Sequence, residues 1–519
     1  MQVAIGADGV ATHCPHCALQ CGLTVLPEPV PTVVPRPFPT NCGELCDQGW
    51  NAFDEPETQP RLTTPLLRVG AELLPANWHT ALDVAAARLH ALRASHGSAA
   101  IGVSGSGALS NEAAYQLARF ARLALGTDRL AYPGLGGVAA ASAVVERAFG
   151  LDRGLPFPVS DLRTAGAVLL AGTNIAESMP PLLNQLRGVM DAGGLIVIDP
   201  ARTPTAKLAA LHLRPRPGTD PVLTLGLLHC VVADGLLKRS YVDDRTAGFA
   251  SVWRTAQHWW PERVERITGV SVADQRTCAR MLARASGAYV LTGRGTHRQP
   301  AAATALTGWI NLSLALGLPG SPGAGFGCVT GQGNGRGVWE QGRLPGARDV
   351  DDVRGLVVFG SRKVRRELDL LVVADTVLSE TAAAADIVFP VTRWAESTGT
   401  VTNLEGRLLL RHGAIPPPEG VRPDLAVLHG IAIRLGRAAA EFPTDPATVF
   451  AALTSASVGG RADYSGASYP RLISGQALHW PISGPRHPGT PRLFLHGFAH
   501  EDGRARFGEV LLNRGRNSP

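Results

Sequence analysis

Cys14-x2-Cys17-x3-Cys21 is followed after 24 residues by Cys46, and with Cys42 this places five of the eight cysteines of this 519-residue chain near its amino end. Two short spacings plus one distant cysteine let a folded loop present four thiolates to one iron–sulfur cubane, and such a cluster would carry electrons. Structural zinc uses similar Cys-rich loops, and a secreted protein would pair such cysteines as disulfides. Disulfides are disfavoured, because Met1 to His13 holds no basic segment followed by an apolar one and no twin arginine; a reducing cytoplasm is the expected setting. Spacing leaves the fourth ligand open between Cys42 and Cys46.

Glycine-bearing turns form a second group with chemical meaning. They are Gly105-Ser-Gly107, Gly172-Thr-Asn174-Ile-Ala-Glu177, Asp199-Pro-Ala-Arg202-Thr203, Pro217-Gly218-Thr219-Asp220, Thr292-Gly-Arg-Gly295 and the longest, Thr330-Gly-Gln332-Gly333-Asn334-Gly-Arg336-Gly337. Glycines let backbone N–H groups close on phosphate oxygens, while Asn, Thr and Asp side chains read a base or ribose. A single Gly-x-Gly turn is more often a tight strand-to-helix connection, and a strand-terminal Asp is often a helix cap. Repeated in order along one chain, the turns point to a large phosphorylated cofactor lying across the fold.

Parallel strands must position these turns, because in open α/β sheets ligands bind beyond the carboxyl ends of strands. Apolar runs at Ala99–Val103, Ala167–Ala171, Leu195–Ile198, Tyr289–Leu291, Leu356–Phe359, Leu368–Val373 and Ile387–Phe389 predict such strands. Between them, Glu112–Leu125 and Ala301–Leu316 carry apolar residues at helical spacing. The expected class is α/β, multidomain, with doubly wound parallel sheets. Breaks rich in Pro and Gly at Pro27–Pro39, Gly317–Gly337 and Gly475–Pro491 read as loops or linkers.

With 45% hydrophobic and 18% charged residues, the chain can form roughly three or four globular domains. Its net charge of +6 comes almost wholly from arginine, since Lys207, Lys238 and Lys363 are the only lysines among 49 basic residues. Those arginines are interleaved with acids and form no stripe with aromatics, which argues against nucleic acid as a partner. The longest apolar stretch, Val222–Leu237, is broken by His229 and Asp234 and is too short to span a bilayer. No pairing of histidine with carboxylate marks general acid–base work, and no zinc-protease, P-loop or serine-hydrolase motif occurs.

Cys14-Pro-His-Cys17-x3-Cys21-Gly-Leu, with Asn41-x-Gly-x-Leu-Cys46 and Gly49, resembles the cluster motif of the prokaryotic molybdopterin oxidoreductases, the dimethyl sulfoxide reductase superfamily. Arg147-Ala-Phe-Gly-Leu-Asp-Arg-Gly-Leu-Pro-Phe-Pro158, Val197-Ile-Asp-Pro-Ala-Arg-Thr-Pro-Thr205, the Gln332 loop and Gly399-Thr-Val-Thr-Asn-Leu-Glu-Gly-Arg407 look like the assimilatory nitrate reductases of that family. The likeness runs from about Thr12 to Phe507. It implies two molybdopterin guanine dinucleotides chelating one molybdenum ion, a [4Fe-4S] cluster delivering electrons, and reduction of nitrate to nitrite. By motif it sets Asn174, Glu177, Asp199, Thr203, Gly218 and Asp220 against one dinucleotide, and Gln332, Gly333 and Asn334 along the pterins. It selects Cys46 as fourth ligand beside Cys14, Cys17 and Cys21, because relatives carry arginine at position 42.

The domains expected on this basis are an iron–sulfur domain (1–60), a discontinuous α/β domain (61–145 plus 346–440), a dinucleotide-binding α/β domain (146–345) and a tail (441–519). No flavin or ferredoxin domain is appended, so the electron donor is expected to be a separate ferredoxin, flavodoxin or reductase subunit. Neither membrane nor nucleic acid is an expected partner.

The resemblance breaks at four places. Gly137 stands where relatives carry the cysteine that ligates molybdenum, and Cys328 is the one cysteine beside the Gln332 loop that could replace it. Gln48 stands where relatives place a lysine between cluster and pterin, and so brings no charge to either centre. After Gly360-Ser361 the chain runs into Arg362-Lys363-Val364 without the usual longer loop, and Leu344–Leu356 is short. The sequence ends at Pro519, shortly after Phe507 and about where relatives begin a β-rich cap domain, so a separate chain is the expected source of that cap. Two readings follow: a molybdenum enzyme, or a non-catalytic iron–sulfur relative that keeps the scaffold.

Overall fold

Alternate residues of the buried strands feed different cores: Val168, Leu170 and Val197 enter one apolar cluster, and Leu169, Ile196 and Val290 enter another. Strands covered on both faces by helices behave this way, and their sequences read as unbroken apolar runs. The computed structural model describes residues 9–27, 30–53, 59–329, 331–342, 346–360 and 368–512. Thr330, Leu344 and the Ser361–Val364 segment lie outside the described residues.

The described chain opens with a three-stranded antiparallel sheet of β1 (Val10–His13), β2 (Gly22–Leu26) and β3 (Thr32–Pro35), followed by the short helix α1 (Asp47–Trp50). A hairpin of β4 (Leu66–Val69) and β5 (Glu72–Pro75) leads into α2 (Trp78–His96). Asn77 starts that helix by accepting the Thr80 N–H, and Gly97, at φ +79°, stops it. Then come β6 (Ile101–Ser104), α3 (Asn111–Arg119), β7 (Leu130–Ala131) and α4 (Gly136–Phe149). The predicted helix up to Leu125 is completed by a π-helical turn, Phe120–Leu125.

The chain next builds a five-stranded, wholly parallel sheet from β8 (Ala167–Ala171), β9 (Leu195–Ile198), β10 (Leu211–Leu213), β11 (Ala288–Thr292) and β12 (Gly325–Cys328), in the order β10-β9-β8-β11-β12. Leu170 of β8 lies opposite Val197 of β9 and Leu291 of β11. Helices α5 (Asp220–Ala233), α6 (Val272–Arg284) and α7 (Ala302–Ala315) belong to this part. After α8 (Gly335–Gln341), the strands β13 (Gly355–Phe359), β14 (Leu370–Asp375) and β15 (Ile387–Pro390) return to the first region. They complete a seven-stranded sheet of order β5-β4-β15-β14-β13-β6-β7. The hairpin β16 (Gly399–Thr402) and β17 (Leu408–Arg411) and the helix α9 (Asp424–Arg434) follow.

The architecture is the expected α/β class with parallel sheets. Two predicted breaks are corrected: β12 lies inside Gly317–Gly337, and β3 lies inside Pro27–Pro39. Gly325 and Gly327 hide the strand signal of β12, yet each packs its backbone where a Cβ would strike Phe157 or Leu155. Among the described residues no helix is long and apolar enough to cross a membrane.

Candidate functional site

Cys14, Cys17 and Cys21 occupy the turn joining β1 to β2, which the Cys14 N–H closes on the Cys21 carbonyl at 2.9 Å. Cys46 sits at the N-terminus of α1 and is brought to them by Asn41. The Asn41 amide donates to the Gly22 and Glu44 carbonyls at 3.2 and 2.8 Å while its oxygen accepts the Gly22 N–H at 3.0 Å. Burial pushes the Cys14 thiol up to about 12 and Cys17 to about 11, drives Cys21 higher still, and all three are raised further by the Cys46 thiolate. Four mutually repelling thiolates of this kind need a bound cationic centre to ionise together. Among the described residues, no three His, Cys, Asp or Glu side chains converge on a point where one metal ion could sit.

Cys42 is held apart. It is exposed, adopts φ +53°, and its Sγ accepts hydrogen bonds from Arg163 Nη2 at 2.7 Å and Gln185 Nε2 at 3.1 Å. Gln20, inside the cysteine turn, is fully buried at φ +50°, and neither its amide nitrogen nor its oxygen has a partner in the protein. A buried amide without a partner is costly, and the sulfides of a cluster could accept a hydrogen bond from its N–H.

The long glycine loop lies directly on the cysteine turn. Cys17 and Gln332 form an antiparallel bridge, and the Gly333 N–H donates to the His16 carbonyl at 3.1 Å. Contact this close requires glycine: a Cβ on Gly331 would stand 2.6 Å from Ala18 Cβ, and one on Gly333 would stand 2.5 Å from the Pro15 carbonyl oxygen. Both glycines have positive φ, +137° and +26°.

Cavities open on both sides of this contact. The larger, about 650 Å³, lies at the carboxyl ends of β6 and β14 and is lined by Ser106, Gly107, Gln332, Gly333, Asp375 and Arg411, among others. The second, about 470 Å³, lies at the carboxyl ends of β8 and β9 and is lined by Cys17, Gln48, Asn174, Glu177, Asp199 and Gln332. His16 and Gln332 face both. Thus one cavity belongs to each parallel sheet, and the cysteine turn stands between them.

The residues expected to touch a dinucleotide divide accordingly. Asn174, Glu177 and Asp199 line the second cavity, Asn174 being oriented by Thr205, whose hydroxyl donates to its Oδ1 at 2.7 Å. Thr203, Gly218 and Asp220 do not line it: Thr203 Oγ1 accepts the Ala206 N–H, and Gly218 makes a turn at φ +82°. Asp220 is raised by burial and by the Asp199 carboxylate, and it does not itself line the cavity. Asn334 is fully buried behind the glycine loop, donating to the Leu109 carbonyl and Asn111 Oδ1 and accepting the Thr402 N–H. Its role here is to hold the loop.

Gly137 lies in the first turn of α4, and a Cβ there would meet nothing nearer than the His297 carbonyl at 4.0 Å. His297 and Cys328 are buried and meet at Thr292, whose hydroxyl is 2.9 Å from His297 Nε2 and 3.5 Å from Cys328 Sγ. Burial holds His297 neutral, down to about 4, and pushes the Cys328 thiol up to about 12.

Sequence reasoning missed Arg411, Asp424 and the ion pairing of Arg336. Arg411 is 5% exposed and lines the larger cavity; burial lowers it to about 10, so it remains a cation at neutral pH. Asp424 lines the same cavity and is pushed up to about 7 by burial and by Asp375. Farther off, Arg336 is buried between Asp152 and Glu340, with both contacts at 2.8 Å. The apolar Leu-Leu-Leu preceding Arg411 marks a strand, but nothing local says where its end points.

A model of the molybdopterin oxidoreductase family matches residues 61–434. The chain is 33% identical to the assimilatory nitrate reductase catalytic subunit of Bacillus subtilis (strain 168), over 95% of this chain and 78% of that protein. It is 27% identical to formate dehydrogenase H of Escherichia coli (strain K12), over 96% of this chain and 78% of that protein. In fold it resembles acetylene hydratase from Pelobacter acetylenicus, with a TM-score of 0.76 and 19% identity, covering 96% of this chain and 77% of that one.

Proposed function

The chain belongs to the molybdopterin oxidoreductases, a family that implies a molybdenum–molybdopterin cofactor, and on that premise we propose that it is a nitrate-reducing oxidoreductase fed by a [4Fe-4S] cluster. The observation that carries the reading is the Cys17–Gln332 bridge, which seats the four-cysteine site between two cavities at the carboxyl ends of two parallel sheets.

The residues present fit the proposed groups. Cys14, Cys17, Cys21 and Cys46 supply one thiolate for each of four irons. The buried Gln20 amide N–H, unpartnered in the protein, could donate to a sulfide of such a cluster, which a single zinc ion does not supply. Asn174, Glu177, Asp199 and Thr205 would orient the guanine-dinucleotide form of the pterin in the second cavity, and the glycine backbone at 331–333 permits close approach in both. When bound, the molybdenum centre supplies two-electron oxygen-atom chemistry, under which nitrate, two protons and two electrons give nitrite and water. Around it, Gln332 faces both cavities, Arg411 offers an anion a positive charge, and Asp424 can hold a proton at its carboxyl near neutral pH.

Gly137 favours the second reading, a non-catalytic electron-transfer relative, since it gives the metal no side-chain donor. Purified protein separates the two. Molybdenum and pterin in near-equal amounts, with reduced viologen oxidised on adding nitrate, support the enzyme. Iron and sulfide without molybdenum leave only the electron-transfer relative. Viologen reduction on adding formate would assign the chain to a formate-oxidising activity instead. A ferredoxin, a flavodoxin or a reductase subunit is the proposed electron donor, the cytoplasm the proposed setting, and a separate polypeptide the proposed source of a cap over the cavities.

A further inference from the structure

We infer that Arg411 is a positioning residue for electron transfer, a fixed cation set between the cysteine turn and the larger cavity that raises the reduction potential of the cluster. The inference rests on the reading that Cys14, Cys17, Cys21 and Cys46 hold a cluster.

Its placement follows from the chain. The strand β17 ends at Arg411 and lies against β1, whose last residue precedes Cys14; the Thr12 hydroxyl donates to the carbonyl of His412 at 3.1 Å. Arg411 thereby reaches the wall of the larger cavity, which Pro15, His16 and Gln332 also line, while remaining 5% exposed. Among the described residues its guanidinium has no hydrogen-bond or ion-pair partner, and its buried Nε is left without one. Glu112 and Asp424 lie within electrostatic range, but neither forms a hydrogen bond or ion pair with it: Glu112 is spent on Thr400 and Tyr469, and burial raises Asp424 to about 7, which weakens it as a counter-charge. Cys14 lies within the same electrostatic range of Arg411 as Glu112 and Asp424.

An unpaired buried charge is destabilising, so its presence at this point calls for something negative to face it. A cluster bound by four thiolates is that group, and it gains a further negative charge on reduction. A nearby fixed cation stabilises the reduced state more than the oxidised one and so raises the potential. Gln48, the residue lining the second cavity beside Cys17, carries no charge and cannot do this. Arginine is suited to the position because burial does not remove its proton at neutral pH.

The test is a potentiometric titration of the cluster, followed by electron paramagnetic resonance, in the full chain and in Arg411→Gln and Arg411→Lys. Expected are equal iron and sulfide contents in all three, a lower midpoint potential in Arg411→Gln, and recovery of most of the shift in Arg411→Lys. A full cluster whose potential is unmoved in Arg411→Gln overturns the inference alone. A wild-type chain that takes up no iron or sulfide overturns the cluster reading, and the inference with it.

Discussion

Cys17 and Gln332 pair as an antiparallel β-bridge, joining the cysteine turn near the amino end to the glycine loop more than three hundred residues later. The pair therefore links the two sequence motifs that carry the most chemistry. Gly331 and Gly333 flank Gln332 and make the approach possible.

Gly333→Ala should force that contact apart, because the added Cβ meets the Pro15 and Gly107 carbonyl oxygens at 2.5 and 3.0 Å in backbone of positive φ. A loss of about 2 kcal/mol is expected in thermal or denaturant unfolding, accompanied by lower iron content. Unchanged stability and iron content would mean that the bridge does not support the cysteine site.

Cys46→Ser and Cys42→Ser should differ sharply. The first should abolish iron and sulfide binding, while the second should leave both intact, since Arg163 and Gln185 already hold Cys42 outside the group. Iron and sulfide assays with visible absorbance decide the matter, and loss of cluster in both variants would contradict the assignment.

Gly137→Cys should fold as well as the parent, within about 1 kcal/mol, because space is open around the new Cβ and glycine in a helix is itself unfavourable. Under the enzyme reading, molybdenum retention and nitrate-dependent viologen oxidation should rise in this variant. A fall in melting temperature would show that position 137 does not accept a side chain.

Asp424 gives a pH signature. Burial raises its folded-state carboxyl to about 7, above its ordinary unfolded value near 4, so the folded state holds a proton that the unfolded state has lost. Its contribution to stability is therefore greatest below pH 4, falls as pH rises toward 7, and stays low above that. Asp424→Asn should remove this slope and raise stability at pH 8 by up to about 4 kcal/mol, measured by urea unfolding across pH. An unaltered slope would show that Asp424 is not the group titrating.

Asp152→Ala should be severe, with a loss of roughly 3–5 kcal/mol, because it removes one of two acids holding the buried Arg336. The double change Asp152→Ala with Arg336→Met should recover part of that loss. Denaturant unfolding of the two variants makes the comparison.

Most of the parallel sheets could be read in advance, because strands such as Ala167–Ala171 and Leu195–Ile198 are buried on both faces and so are apolar at every position. β12 escaped notice because its glycines, needed for packing against Leu155 and Phe157, mimic a loop. In the candidate site, the cysteines and glycine turns stood out through their residue types. Asn334 did too, yet its side chain is engaged by Leu109, Asn111 and Thr402, and only the fold could assign it to holding the loop. Arg411 and Gln20 were invisible for a related reason: a lone polar residue beside an apolar run looks solvated until distant chain covers it.

The seven-stranded sheet also constrains biosynthesis. Strand β6 ends at Ser104 and has Val358 of β13 as its partner, with the whole five-stranded sheet lying between them in the chain. As the polypeptide leaves the ribosome, the first α/β layer must wait with an unpaired edge until residues beyond Phe359 emerge, while the intervening sheet can close by itself. The cysteine turn waits likewise for Gln332. Completion of both cavities is thereby deferred to a nearly finished chain.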